Sequence, residues 1–565
     1  MHYRFETTDR NYTNYTFIDA ETNSIEEIDV DPITHKLLHG DIVDIQEGNV
    51  CIVSSPCRES GGHCGVLVLE KNKSYGKDKG TYLYRCIPDD KRMPCFIVPY
   101  KLKISGFSKL LVNRYITFSY RNWDGKHPSG MITESYGEVD KVQNTFEYLI
   151  RRSNSRHSTR RFCQYVHQHL KDRTENSWME KMGATYELMD RTEDTVMTID
   201  PEGCQDFDDA IGIRVPESGE GLILSVYIAN VSLWMTTLDA WSHITDQVST
   251  MYLPKRVCPM LPACLSNNLC SLQAERRRVV LAMDVYIQDG CVERIEYKNA
   301  LIRVSTNYVY EEEILIQNPM YASILQQVKS LNWTAPYLPD GVNNSHDVVA
   351  YLMLMYNHRG GCELSKHQAG IYRVLQQSPV KESTDSLTGD ISAFFKVWNR
   401  GRGEYTLYGE DMRHDALGVD SYCHLSSPIR RLVDLLNQIE IQHVLGLASV
   451  SAEAQSLVDK WRAMMSELNE SHLSIRKLQS TYELLYKVHE DETVLQREYD
   501  ACVFDRAIRS DTVNDYSVYI PGLKLMSRIS SPVVYEERQL VKVKLYLFKD
   551  EHTTLKKVRV EIVLP

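Results

Sequence analysis

The stretch "TVMTIDPEGCQDFDDAIGIRV", residues 195 to 215, holds four aspartates, Asp200, Asp206, Asp208 and Asp209, between two runs that read as strands. Carboxylates this close repel one another, and they stay ionised together only where cations sit between them. Oxygen donors suit a hard divalent ion such as magnesium or manganese, and several of them can hold two ions about 3.5–4 Å apart, the arrangement used for in-line displacement at phosphate. Pro201 keeps Asp200 extended, so the chain leaves the first strand, loops through "EGCQ" and returns with the other three aspartates. Two plainer readings compete. An acidic surface turn needs no ligand. A calcium loop starting at Asp206 would place Ala210 at its fifth position and strands on its flanks, against the usual pattern.

A second candidate group is cationic. In "SSPIRRLVDLLNQIEIQHVL", Ser427 stands at an N-cap position and Pro428 at the first helical position, where its missing N–H is no loss. Ile429, Leu432, Val433, Leu436, Ile439 and Ile441 approximate an apolar stripe. Arg430 at such a helix start would add its guanidinium to the positive end of the helix dipole, a combination suited to a pentavalent phosphate. Taken alone, an arginine there is more often solvated or ion-paired. Tyr252, in "MYLP", offers a flat face for stacking a base without reading it, worth about 1–3 kcal/mol per base, although a core aromatic has the same look. Tyr422 and His424, just upstream of Arg430 and Arg431, read as residues along a nucleic-acid path or as structural ones.

The elements that must position these residues follow from pattern. Strand-like runs surround the aspartate loop from about 195 to 300, while 347–376 and 425–490 read as helices. Before residue 150 come short strands with Gly and Pro turns, the mark of small β-barrels, with "ESGGHCG" as the turn between two of them. Residues 138–170 switch to helical spacing around a basic, serine-rich break, "RRSNSRHSTRR", which reads as a linker. The last stretch, 496–565, is strand-rich again and the size of one barrel.

Composition bounds the rest. At 565 residues the chain should hold several domains, and it has no apolar run of about 18 residues that would span a bilayer. The polar, aromatic N-terminus does not read as a secretory signal, which leaves the cytoplasm as the expected location and the nucleus as the alternative. Fourteen cysteines include no CxxC pair, and Cys258, Cys264 and Cys270, lacking histidines at ligand spacing, read as packing. A net charge of −12 disfavours a broad basic surface for nucleic acid but leaves room for a locally basic channel.

"TIDPEGCQDFDDAI" resembles the D-P-x-x-x-x-D-x-D-D signature of the ribonuclease II/ribonuclease R family, the RNB-domain exoribonucleases. "VYIANVSLWM", "MYLPKRVCPMLPACLSNNLCSL", "LMLMYN" and "ALGVDSYCHLSSPIRRLVDLL" agree in the same order, covering most of 195–445. "CIPDDKRMPCFIVP" and "KHPSGMITESYGEVD" resemble the second of the family's two cold-shock-type barrels, and "YSVYIPGLKL" resembles the C-terminal barrel of the eukaryotic exosome-associated branch, whose N-terminal PIN domain has no room here. The resemblance implies an α+β multidomain chain: two cold-shock-like OB barrels (1–60 and 61–150), a helical connector (151–194), an α/β RNB catalytic domain (195–495) and a C-terminal OB-fold RNA-binding barrel (496–565). It also implies processive 3′→5′ hydrolysis of single-stranded RNA with a free 3′ end to nucleoside 5′-monophosphates, in a channel too narrow for paired strands. Two magnesium ions, with manganese able to substitute, would sit on Asp200, Asp206, Asp208 and Asp209, and loss of Asp209 would cost most activity. Tyr252 would lie against the last nucleotides and Arg430 on the phosphate, with Tyr422, His424, Ser427 and Arg431 also touching RNA. A monomer with RNA-decay protein partners is expected. The family commonly reads H-I-A-D-V-S-H where this chain has Asn230 and Leu233, and Tyr351 stands where the bacterial branch carries glutamate. These departures motivate the rival reading, an RNB fold that binds RNA or a protein without cutting; an endonuclease or a DNA-directed phosphodiesterase is a further alternative.

Overall fold

A computed structural model describes residues 2–563 apart from 47–48, 71–72, 103–110, 153–158, 172, 217–218, 335–336, 339, 377–388, 399–402, 410, 511 and 550–554. The centre of the "RRSNSRHSTRR" break lies outside the described residues; helices Val142–Arg152 and Arg160–Lys171 flank it. The chain divides into two compact units, 1–156 with 480–565, and 157–479.

The first unit contains three sheets with one connectivity. Strands His2–Thr7, Tyr15–Asp19, Ile25–Glu26, Ile42–Gln46 and Asn49–Ser54 lie in the order 3-2-1-4-5, and so do the five strands between Tyr499 and Ile562. The middle sheet, from His63 to Glu138, has six strands and repeats this order once the two-residue strand Lys77–Asp78 is set aside; Phe96–Pro99 also pairs in parallel with Ser129–Glu138, closing a barrel. That closure gives the five-stranded Greek-key arrangement of an OB fold. Leu67, Tyr84, Phe96, Val98, Ile116 and Phe118 fill its interior. Among the described residues no helix is long and apolar enough to cross a membrane.

The second unit is built on seven strands: β1 (Met189–Arg191), β2 (Met197–Asp200), β3 (Asp209–Arg214), β4 (Leu222–Ala229), β5 (Arg277–Gln288), β6 (Cys291–Arg303) and β7 (Thr306–Val309). They run in the order β1-β6-β5-β4-β3-β2-β7. Alternate residues of β4 and β5, Leu224, Val226, Ile228, Leu281, Met283 and Val285, share a core with Ile324, Val328, Val348, Leu352 and Met355 of helices Pro319–Thr334 and Ser345–Lys366. The intervening residues are buried too, so these strands read as nearly continuous apolar runs.

Two helical expectations are corrected. The run 347–376 is not one helix: it ends at Lys366, and after Gly370, whose φ of +99° suits a residue without a side chain, Ile371–Val374 is a strand. The helix expected from Pro428 begins at Leu432, with Arg431 extended at its N-cap. Residues 428–430 form a turn instead, because Thr250 N–H donates to Arg430 O, Leu432 N–H donates to Val248 O, and Ser249 bridges Arg431. Strand pairing with a distant segment overrides the local helix signal, and Arg430 stands on a turn, without a helix dipole behind it.

Candidate functional site

β2 and β3 pair at Met197 and Ile211 and separate toward the loop, so Asp200 ends one strand, Asp209 begins the next and Asp206 and Asp208 lie between. Cys204 N–H donates to Pro201 O, and Gly203, at φ +79°, supplies the positive angle this tight turn requires. Ser271 braces the return: its hydroxyl donates to Gln205 O at 2.7 Å and accepts Phe207 N–H at 3.2 Å. The result is a cavity of about 890 Å³ lined by all four aspartates together with Tyr252, Tyr422, His424, Ser427, Arg430 and Arg431. Every site residue read from the sequence therefore lines one pocket.

The four carboxylates are used differently. Asp208, 2% exposed, accepts Ile429 N–H at 2.8 Å and Arg430 Nε at 3.0 Å. Asp206 accepts the hydroxyl of Tyr252. One oxygen of Asp200 contacts Cys204 Sγ at 3.8 Å, and the other is buried without a hydrogen-bond partner. Among the described residues the Asp209 carboxylate has no hydrogen-bond partner, and no three of these carboxylate groups bring oxygens within 4.8 Å of one another. Burial pushes the Asp200 carboxyl up to about 6, against the pull of Arg430, and pushes Asp208 up to about 7. Burial, then the charges of Asp200 and Asp208, hold Asp209 well above the carboxylate range. A buried oxygen without a donor and acids raised by burial and one another make a donor set that fits hard divalent cations, with Asp200, Asp206 and Asp209 best placed to hold them.

Arg430 is anchored at Nε by Asp208 and at Nη2 by the Ser427 hydroxyl (3.0 Å), which leaves Nη1 without a hydrogen bond among the described residues. Arg431 is committed elsewhere, to a two-pronged ion pair with Asp434 at 2.5 and 2.8 Å, while Asp434 also accepts Ser427 N–H. Asn357 ties the 422–426 strip to helix Ser345–Lys366 by accepting Leu425 N–H and donating to Tyr422 Oη and Ser426 Oγ. Gly361 permits this approach, since a Cβ there would meet Cys423 N at 3.1 Å. His424 accepts from or donates to the Tyr405 hydroxyl at 2.7 Å, and burial with Arg431 and Arg373 nearby holds it neutral. The ring of Tyr252 is 41% exposed on a short hairpin with Arg256–Cys258.

Tyr310 and His346, stacked at 3.7 Å and 12°, also line the pocket and were not read from the sequence. Tyr310 follows β7, whose Val309 pairs in parallel with Asp200, so the contact depends on a pairing that no spacing in the chain announces. Of the departing residues, Asn230 is fully buried: its oxygen caps helix Val231–Thr237 at Leu233 N–H, its amide donates to Asn299, and Gln442 donates to it. Leu233 and Tyr351 are core residues, and none of the three lines the pocket.

Residues 189–319 and 338–446 match the RNB domain, and every lining residue falls within them. An RNB domain thus forms the middle of this chain. Ribonuclease R of Chlamydia muridarum is 24% identical over 313 residues, 51% of this chain and 43% of that protein. The human exosome complex exonuclease RRP44 is 29% identical over 230 residues, 39% of this chain and 22% of that protein. The chain thus spans less than half the length of these curated relatives. Among solved structures, Mycoplasma genitalium RNase R in complex with ribose-methylated single-stranded RNA superposes with a TM-score of 0.67 at 15% identity, covering 99% of this chain and 100% of that one. Yeast Ssd1, a pseudonuclease, gives 0.60 at 13% identity, covering 94% and 78%. At these identities the likeness is one of fold. The RNB domain and the barrel-like sheets are common ground; what the pocket does rests on its own chemistry.

Proposed function

We propose that this RNB-domain chain is a processive 3′→5′ exoribonuclease that hydrolyses single-stranded RNA to nucleoside 5′-monophosphates, using two magnesium ions, for which manganese can substitute. The observation that carries this reading is the charge imbalance of the pocket: four aspartates share one arginine, Arg430, which Asp208 already holds, because Arg431 is neutralised by Asp434. Bound at Asp200, Asp206 and Asp209, divalent ions supply charge neutralisation at the phosphate and lower the pKa of an attacking water. Asp208 holds Arg430 by its Nε and Ser427 holds it by Nη2, which leaves Nη1 to donate where charge gathers on the phosphate. Tyr252, tethered through its hydroxyl to Asp206, presents a ring to the terminal bases and keeps stacking in register with the carboxylates. Tyr422, His424 and Ser427 form the inner wall against which the backbone of the RNA lies. The chain is proposed to act as a monomer on RNA with a free 3′ end, alongside RNA-decay proteins.

The test is RNA labelled at either end, incubated with and without magnesium. Labelled mononucleotide from the 3′ label, a shrinking 5′-labelled ladder and no reaction in chelator are expected. Internal fragments would make the chain an endonuclease. A competing reading, an RNB fold that binds without cutting, draws on the ion pair by which Arg430 consumes Asp208; RNA bound but intact in magnesium and in manganese would establish it.

A further inference from the structure

Helix Arg160–Lys171 carries Cys163 and His167 one turn apart, at i and i+4, on one face. Cys264 meets them from the segment that leads into the short helix Leu265–Leu269. The two sulfurs and an imidazole nitrogen lie within 4.8 Å of one another, the one such trio of Cys, His, Asp or Glu among the described residues. Cys163 Sγ is 3.3 Å from His167 Nδ1. A tetrahedral ion at about 2.3 Å from sulfur and about 2.0 Å from nitrogen sets its ligand atoms about 3.5–3.8 Å apart, so little movement separates this cluster from coordination. The sequence offered no hint, since the histidine spacing that counts lies on a helix far upstream of Cys264.

We propose that Cys163, His167 and Cys264 form a zinc site, separate from the carboxylate pocket, that clamps helix Arg160–Lys171 to the segment before Leu265. Two sulfurs and one imidazole select zinc over the hard ions suited to the aspartates. Cys163 and His167 line an open cavity of about 760 Å³ with Gln164, Pro259 and Pro262, so an ion can enter and water can complete its fourth position. As the two S–Zn bonds form, both thiol protons leave to solvent, and the ring nitrogen of His167 gives up its 2.8 Å contact with Cys163 O. Dication, two thiolates and neutral imidazole then sum to zero charge. The clamp reaches the aspartate loop in one step. Asn267, three residues after Cys264, donates to Gln205 Oε1 at 2.9 Å, and Ser271 beyond it holds Gln205 O and Phe207 N–H. Loss of the ion therefore loosens the support of the loop without removing a group from it.

The test is metal content and cobalt spectroscopy on the full chain, purified under reduction. Wild type, Asp209→Asn and Cys258→Ser are expected to retain about one zinc per chain and to show a thiolate-to-cobalt charge-transfer band; Cys163→Ser and Cys264→Ser are expected to hold under about a tenth of that. Chelation should lower the melting temperature of wild type but not of Cys264→Ser. Where a serine variant does not fold, zinc protection of Cys163 and Cys264 from alkylation in the wild type, mapped by mass spectrometry, takes its place. Absence of the band, a band that survives both serine variants, unprotected thiols, or a Cys163–Cys264 disulfide that takes up no metal after reduction would each overturn the proposal.

Discussion

Asp284 and Asp209 stand on the same seven-stranded sheet, on β5 and β3, and the sheet provides for them in opposite ways. Asp284 is fully buried, gripped by Arg191 at 2.8 and 2.5 Å, by the Ser225 hydroxyl at 2.6 Å and by Arg214 at 3.2 Å. Its charge is matched by guanidiniums the chain itself supplies. Asp209 has two acidic neighbours, Asp200 and Asp208, and a share of one arginine, already held by Asp208. A buried acid with its own cations holds a fold together, whereas a group of acids short of cations is a place for a ligand that brings them. The count of acids alone does not separate these cases; the count of matching cations does.

That contrast can be broken in order of effect. Asp209→Asn should lower kcat on single-stranded RNA by at least about 10⁴-fold, about 5.5 kcal/mol, while the folded chain still binds RNA; unchanged turnover would place Asp209 outside the chemistry. Asp284→Asn should do the reverse, costing about 3–5 kcal/mol in urea unfolding because Arg191 is left buried and underpaired, with turnover per folded molecule near wild type. A stable Asp284→Asn protein would mean that the buried pair contributes nothing net. Arg430→Ala is expected to reduce kcat by about 10²–10³-fold, about 2.7–4 kcal/mol, with a smaller loss of affinity. Equal losses in kcat and in binding would make Arg430 a substrate anchor only.

The smallest effect is in pH. Asp200, Asp208 and Asp209 bind protons more tightly in the folded, metal-free chain than in the unfolded chain at about 4, with Asp200 at about 6, Asp208 at about 7 and Asp209 well above the carboxylate range. Raised acids weaken the fold increasingly as pH rises from the unfolded value through the folded ones, and they do not weaken it below both. In chelator, the stability of Asp209→Asn relative to wild type should therefore improve by about 1–2 kcal/mol between pH 5 and pH 7.5, and magnesium should erase the gain. A difference that stays flat with pH would show that the carboxylates do not repel one another in the fold.

Much of the site was legible because it is local. Asp200 to Asp209 lie on one loop, and the residue types alone name the chemistry of their oxygens. Arg430 was legible as a cation and misread as a helix residue, since Ser427 and Pro428 carry a genuine helix-start pattern that pairing with Val248 and Thr250 overrides. Asn230 looked like a functional departure and is a buried cap whose partners, Asn299 and Gln442, lie far along the chain. Tyr310 and His346 were missed for the same reason, because parallel pairing of β7 with β2 leaves no mark in spacing.

The sequence by itself determined the donor types, their order on one loop and the alternation that makes the central strands, because these depend on neighbours a few residues apart. Only the tertiary structure decided which carboxylates stay unpartnered, that Arg430 rests on Asp208 while Arg431 is spent on Asp434, and that Cys264 meets Cys163 and His167. Ionisation and ligation depend on distances between atoms, and the distances that matter here are set by strand pairing and helix packing across long stretches of chain.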